Sequence, residues 1–170
     1  MKGDEPLPAG KPAGAPVQSR TVRRNKILVV DQDSDLRKLY TEVLAHSGYH
    51  VDGAEDGAAG WKALQAGIYN LLITEHALSK VTGIELVKSV RAARMALPVV
   101  MAAERLPTHA LARNPSLHVA ALLPKPFYIS ELLETVKTVL RAADHPSENY
   151  TPLPNWPGQP PAVGLRPYVA

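Results

Sequence analysis

Two carboxylates and one lysine are the residues of this sequence whose types and positions could do chemistry together. Asp31 follows the apolar run KILVV, Glu75 ends the run NLLITE, and Lys125 follows HVAALLP. If these runs are parallel strands, the crevice beyond their carboxyl ends collects all three side chains, with Ala103 at the end of LPVVMAA. There they can pair with one another or line a ligand crevice. The simpler alternative is a set of separate, solvated charges at strand ends.

Other reactive groups form no comparable pattern. The sequence has no cysteine, which excludes disulfides, zinc–thiolate sites and thiol catalysis. A zinc ion held by Asp31, Glu75 and His76 is the least favoured alternative, because an exposed loop histidine explains His76 more simply. Metal-ligand spacing is also absent among four further histidines, His46, His50, His109 and His118. We predict no catalytic residues and therefore no enzyme.

The elements that must position these side chains alternate along the chain. Apolar runs typical of buried strands are KILVVD, NLLITE, LPVVMAA and HVAALL, and YHVDGA is a short alternating strand. Between and after them, LRKLYTEVLAHSG, AAGWKALQAG, GIELVKSVRAAR and ISELLETVKTVLRAA have helical spacing, while Pro107 and Pro115 leave RLPTHALARNPS room for a short helix only. Strict alternation of buried strands and helices predicts an α/β fold, a doubly wound five-stranded parallel sheet in a single domain.

Composition divides the chain into three parts. Residues 1–25 are rich in Pro, Gly and Ala, so we expect them to be disordered. Residues 26–143 carry the alternating pattern and form the predicted domain. Residues 144–170 contain seven prolines interleaved with Tyr150, Trp156 and Tyr168. These aromatic side chains either pack back onto the domain or form a linear motif for a partner, and plain disorder is the third alternative.

Charge and hydropathy give a general location. The net charge of +3 is too mild to indicate nucleic acid by itself, and no helix-turn-helix pattern follows the predicted domain. No apolar run approaches the roughly 20 residues that span a bilayer, and the first residues lack the apolar core of a secretory signal. We therefore expect a cytoplasmic protein without a membrane segment or a DNA-binding domain.

Five motifs in order resemble the receiver domains of response regulators. KILVVDQDSDLRKLY is similar to the first strand and helix of that family, and GYHVDGAEDGAAGWKAL to the second strand and helix. NLLITEHALSKVTGIEL resembles the phosphoacceptor segment, with Gly83 at a loop position that the family uses. LPVVMAA and LLPKPF resemble the fourth strand and the Lys-Pro motif after the fifth. The resemblance covers about residues 25–143 and implies a flavodoxin-like fold.

The resemblance also implies a mechanism in two-component signalling. An aspartate after the third strand takes a phosphoryl group from a histidine kinase, and an acidic pair after the first strand holds Mg²⁺. In this chain Asp31 matches the first acid of that pair. Gln32 stands where the second acid belongs, and Glu75 occupies the phosphoacceptor position. A neutral amide is a poorer Mg²⁺ ligand than a carboxylate. The extra methylene of glutamate moves its carboxylate forward by about 1.5 Å.

The positions that respond to phosphorylation differ as well. Ala103 stands where the family has a switch Ser or Thr, and Leu122 where many members have an aromatic residue. Lys125, followed by Pro126 and Phe127, keeps the family pattern. We therefore predict a pseudo-receiver in which Glu75 and Lys125 form a partly exposed ion pair. No cofactor is expected, and Mg²⁺ only if the site accepts phosphate after all.

Three function classes follow. We favour a stand-alone, phosphorylation-independent receiver that acts as a protein-interaction module. Its partner would be a kinase, an output protein, a scaffold or a second copy of the chain. The contact would use the fourth helix, fifth strand and fifth helix, or the Pro-rich tail. The first alternative is a working phosphoacceptor that takes phosphate from a histidine kinase, and the second is a small-ligand-binding flavodoxin-like domain. That second alternative is the weakest, because no Gly-rich phosphate loop is present.

Overall fold

Five strands alternate with helices in the computed structural model, which describes residues 25–144. The strands are β1 (Lys26–Val30), β2 (His50–Ala54), β3 (Leu71–Glu75), β4 (Val99–Ala103) and β5 (Ala121–Pro124). The helices are α1 (Ser34–His46), α2 (Gly57–Ala66), α3 (Gly83–Ala92), α4 (Thr108–Arg113) and α5 (Ile129–Asp144), with a 3₁₀ turn at Pro115–Leu117. The predicted alternation is confirmed, although β5 begins later than the run HVAALL suggests.

All strand pairs in the sheet are parallel, and the strand order is β2-β1-β3-β4-β5. The order reverses direction at β1, so the loops after β1 and β3 leave the sheet toward opposite faces and open a crevice between them. In-register pairing of Val30 with Thr74 brings the ends of β1 and β3 to the same level. Glu75 in turn pairs with Ala102 on β4.

Each face of the sheet has its own apolar core. Continuous burial of strands β1, β3 and β4 explains their uninterrupted Val, Leu and Ile runs. Helices α2 and α3 cover one face, where the core includes Leu28, Leu72, Leu86, Val90 and Met101. Helices α1 and α5 cover the other face, where it includes Ile27, Leu44, Ile73, Leu132 and Val136.

The segment around α4 is short, as the prolines predicted. The helix spans six residues, none of them buried. The 3₁₀ turn that follows is held from outside by Arg91 of α3. The Arg91 guanidinium donates to the carbonyls of Leu117 (2.8 Å), His118 (3.0 Å) and Leu97 (2.9 Å). The partly buried guanidinium donates to backbone carbonyls and adds to the apolar contacts that Ala110 and Leu111 of α4 make with the core.

The two ends of the described chain are an edge contact with β2 and the last residue of α5. The carbonyl of Asn25 accepts a hydrogen bond from the His50 amide (3.0 Å), and α5 includes Asp144. The predictions for the remainder of residues 1–25 and 144–170 fall outside the described residues. Among residues 25–144, no helix is long and apolar enough to cross a membrane.

Candidate functional site

Asp31 is the buried centre of the crevice at the carboxyl end of β1. Only 2% of the residue is exposed. Its Oδ1 accepts a hydrogen bond from the Asp33 amide (2.9 Å), and its Oδ2 accepts one from Lys125 Nζ (2.8 Å). Its carbonyl oxygen accepts a further bond from Arg37 Nη1 (2.6 Å). Both carboxylate oxygens of Asp31 are therefore already engaged.

The two residues after Asp31 turn away from the crevice. Gln32 is exposed. Asp33 is the N-cap of α1, where its Oδ1 accepts from the amides of Asp35 (2.9 Å) and Leu36 (3.0 Å). Asp33 therefore cannot take the place of the second acid.

Glu75 and Lys125 lie together, and Lys125 also reaches Asp31. Lys125 Nζ is 3.5 Å from Glu75 Oε1, longer than its contact with Asp31. The two side chains are 11% and 12% exposed, so the pair is only partly exposed, as predicted, and mostly shielded from solvent. The predicted pair is present as the weaker arm of a three-residue cluster. The Lys125 amide also donates to the Ala103 carbonyl (2.9 Å), and this hydrogen bond joins the end of β5 to the end of β4.

The electrostatics of the cluster follow from one cation facing two carboxylates. Burial raises the pKa of Glu75, and the negative charge of Asp31 raises it further, while Lys125 opposes both effects. For Lys125, burial favours the neutral amine. The hydrogen bond to Asp31 and the charges of Asp31 and Glu75 outweigh burial, so the pKa of Lys125 lies above its usual value. Lys125 therefore remains an ammonium ion at neutral pH.

The two positions expected to respond to phosphorylation lie on neighbouring strands. Ala103 is 3% exposed at the end of β4 and carries no hydroxyl. Leu122 on β5 pairs with Met101 and packs against the core on the α2–α3 face. Beside Ala103 and Glu75 a cleft of about 390 Å³ opens toward the segment Glu104–Pro107. The side chains lining this cleft at Ala103 and Leu106 are apolar.

The loop after β3 is fixed at both of its ends. A Cβ atom on Gly83 would lie 2.1 Å from the Glu75 carbonyl oxygen, so only glycine allows this approach, and the Gly83 amide donates to the His76 carbonyl (3.0 Å). Lys80, in a left-handed conformation (φ 62°), donates to Asp56 Oδ2 (2.5 Å). Asp56 is also the N-cap of α2, and no signal in the sequence indicated its ion pair with Lys80.

His76 lies on the crevice side of the same loop. It is half-buried, and its Nδ1 has no hydrogen-bond partner among residues 25–144. No group of three or more His, Asp or Glu side chains in the described chain is arranged to hold a metal. The zinc alternative at Asp31, Glu75 and His76 therefore lacks its geometry.

The side chains also fit Mg²⁺ poorly. A magnesium site needs free oxygen ligands in near-octahedral geometry. Here the Asp31 oxygens already accept hydrogen bonds, Gln32 is exposed and neutral, and Lys125 lies against both Asp31 and Glu75. The ammonium group supplies one of the two positive charges that a divalent cation would bring.

Comparison with known proteins gives the family of this fold. The family model for the response regulator receiver domain matches residues 27–137. The receiver protein CpdR of Brucella abortus is 29% identical over 121 residues, which cover 69% of this chain and 98% of CpdR. The transcriptional regulatory protein CusR of Escherichia coli is 29% identical over 116 residues, covering 68% of this chain and 51% of CusR. This chain thus matches about half the length of CusR.

A solved structure has the same fold. The response regulator TrrA of Thermotoga maritima, in complex with Mg²⁺-BeF, is 28% identical, with a TM-score of 0.60, and the match covers 68% of this chain and 98% of TrrA. The fold, the family model and the order of the site residues lead to one assignment. This chain belongs to the response regulator receiver domain family of two-component signalling.

Proposed function

We propose that this receiver works as a protein-interaction module whose state does not depend on phosphoryl transfer. The observation that carries the proposal is the position of Lys125, which contacts Asp31 at 2.8 Å and Glu75 at 3.5 Å within a largely buried crevice. In the family mechanism the lysine pairs with the phosphorylated acceptor and a metal balances the acids. Here the lysine already contacts both acids without either group.

The acceptor itself is poorly suited to in-line attack. Glutamate extends its carboxylate about 1.5 Å beyond the position of an aspartate carboxylate. Misplacement of about 1 Å is enough to reduce a transfer reaction substantially. Burial also raises the pKa of Glu75. At a pH near that pKa, a smaller fraction of the side chain is therefore in the nucleophilic carboxylate form. We therefore propose neither an enzyme activity nor a resident cofactor, although Mg²⁺-BeF accompanies the related TrrA.

The response to a phosphate would also be missing. The family reads the phosphate with a hydroxyl at the end of β4, and Ala103 is a buried methyl group at that position. A single substitution of the acceptor cannot restore both the reaction and its readout. The crevice would then serve to hold β1, β3 and β5 in one arrangement.

The working surface would be the face formed by α4, β5 and α5. Helix α4 buries none of its residues, and Tyr128 between β5 and α5 is 80% exposed. An exposed aromatic side chain is a common anchor of protein interfaces. The partner would be another signalling protein or a second copy of the chain, and a cytoplasmic location goes with this proposal.

Phosphorylation with acetyl phosphate tests the proposal directly. We expect no mobility shift in a phosphate-affinity gel and no phosphoryl addition by intact mass when the full chain is incubated with acetyl phosphate and Mg²⁺. Glu75→Asp alone should also stay unlabelled, because Gln32 and Ala103 remain. The triple variant Gln32→Asp, Glu75→Asp, Ala103→Thr is the matched positive control. Stoichiometric labelling of the unchanged chain would favour the working phosphoacceptor instead.

A further inference from the structure

An open apolar groove lies at the pole of the sheet opposite the candidate site. It has a volume of about 360 Å³, and its lining includes Leu64, Ile68, Tyr69, Met95 and Leu97. These residues belong to the end of α2 and to the loops that lead into β3 and β4. Ile68 is 89% exposed, the highest value among the large exposed apolar residues of the described chain. Such an exposed group next to an apolar groove suits a covering partner.

One wall of the groove is held rigidly. The Tyr69 hydroxyl donates to Asp52 Oδ2 (2.6 Å), and Lys26 Nζ lies 4.7 Å from the centre of the Tyr69 ring. Lys26 also pairs with Asp52 at 2.8 Å. These contacts fix the orientation of the ring before anything binds. A fixed aromatic wall beside apolar side chains suits a proline-rich segment, because an extended proline segment loses little entropy on docking.

The chain itself supplies such a segment close to the groove. Helix α5 runs back from the carboxyl end of β5, so its last residue, Asp144, lies at the same pole as the groove. Trp156 is twelve residues beyond Asp144. An extended proline-rich segment of that length reaches about 37 Å. The distance from the helix layer that contains α5, across the sheet, to the layer of α2 and α3 beside the groove is roughly 20 Å.

The other terminal segment also leaves this pole but is a poorer match. Residues 1–24 contain no Phe, Trp or Tyr, whereas residues 145–170 contain seven prolines and Tyr150, Trp156 and Tyr168. We propose that the segment 151–161, TPLPNWPGQPP, docks on this groove in the same molecule, with Trp156 against Ile68 and Tyr69. The pole remote from the candidate site is then closed by the chain's own tail.

Methyl NMR of the full chain tests this contact. The sequence has five isoleucines, so a spectrum of their δ1 methyls is easily assigned: Ile27, Ile68, Ile73, Ile84 and Ile129. Trp156→Ala should move the Ile68 resonance by more than its line width, because the ring current of the indole is lost. The resonances of Ile27 and Ile73, which are buried in the sheet, should stay in place.

A reciprocal substitution provides the control. Ile68→Ser should move the indole N–H resonance of Trp156. Leu39→Ser, which alters an apolar residue 42% exposed on α1, should not. Neither Ile68 nor Leu39 is buried, so both variants should fold. An Ile68 resonance unchanged by Trp156→Ala would overturn the proposal. So would a shift that grows with protein concentration, because it would place the segment on a second copy.

Discussion

Removing the Lys125 ammonium is the sharpest test of the idea that it holds the crevice together. Lys125→Met keeps most of the apolar stem and deletes the charge that Asp31 and Glu75 share. Truncating one partner of a buried ion pair costs about 3–5 kcal/mol because the other charge stays buried. The side chains here are 3–12% exposed, so we expect the lower end, about 3 kcal/mol. That loss is a large share of the free energy of unfolding, which is roughly 5–15 kcal/mol for a typical domain.

The loss should depend on pH. The folded pKa of Glu75 is raised above its ordinary value of 4.5, so its contribution to stability is fully present below pH 4.5 and is lost as pH rises through the folded pKa. Lys125 opposes this rise, and its removal raises the pKa of Glu75 further. The variant should therefore lose more stability at pH 7.5 than near the pKa of Glu75, where protonation removes one of the two facing charges.

Urea unfolding followed by tryptophan fluorescence measures both effects. Lys38→Met is the matched control, because Lys38 is 76% exposed and its ion pair with the exposed Glu42 should contribute less than about 1 kcal/mol. Adding Glu75→Gln to Lys125→Met should recover part of the loss at pH 7.5. A Lys125→Met variant no less stable than Lys38→Met, or equally destabilised at both pH values, would refute the reasoning.

Two further substitutions test the supports of the site and its neighbouring segment. Gly83→Ala should lower the free energy of unfolding by about 3 kcal/mol, because the added Cβ would lie 2.1 Å from the Glu75 carbonyl oxygen and the loop after β3 must move. Urea unfolding measures this loss, and an unchanged midpoint would contradict the prediction. Arg91→Ala should leave carbonyls such as that of Leu117 without their donor and speed amide hydrogen exchange in residues 104–119 at least tenfold, and unchanged exchange there would show that the contacts are incidental.

The fold could be predicted from the sequence because its signals are local. The apolar runs that form β1, β3 and β4 are buried on both faces. A short, uninterrupted apolar run between helices is typical of a central strand in a parallel sheet covered on both faces. Pro107 and Pro115 limited α4 in the same way, because proline removes a donor whatever the surroundings. The start of β5 was less predictable. His118 adopts a left-handed conformation that the run HVAALL does not reveal.

The chemical identity of the site could also be predicted, because the crevice forms where parallel strands end. Asp31, Glu75 and Lys125 were expected there from their positions after apolar runs, and the structure brings them together. The engagement of both Asp31 oxygens and the 3.5 Å arm to Glu75 could not be predicted. They depend on side-chain angles and loop paths set by contacts distant in sequence, since Asp31 and Lys125 are 94 residues apart.

The sequence by itself determined that a glutamate stands at the acceptor position, that no hydroxyl follows β4, and that the lysine remains. Tertiary structure alone decided what those residues do to one another. It made Lys125 the partner of Asp31 first and Glu75 second, and it buried Asp31 while leaving Glu75 and Lys125 11–12% exposed. It also tied Lys80 to Asp56 across two loops. The physical reason is that the sequence specifies the type and charge of each residue, whereas the distances between charges and their dielectric environment arise only from packing.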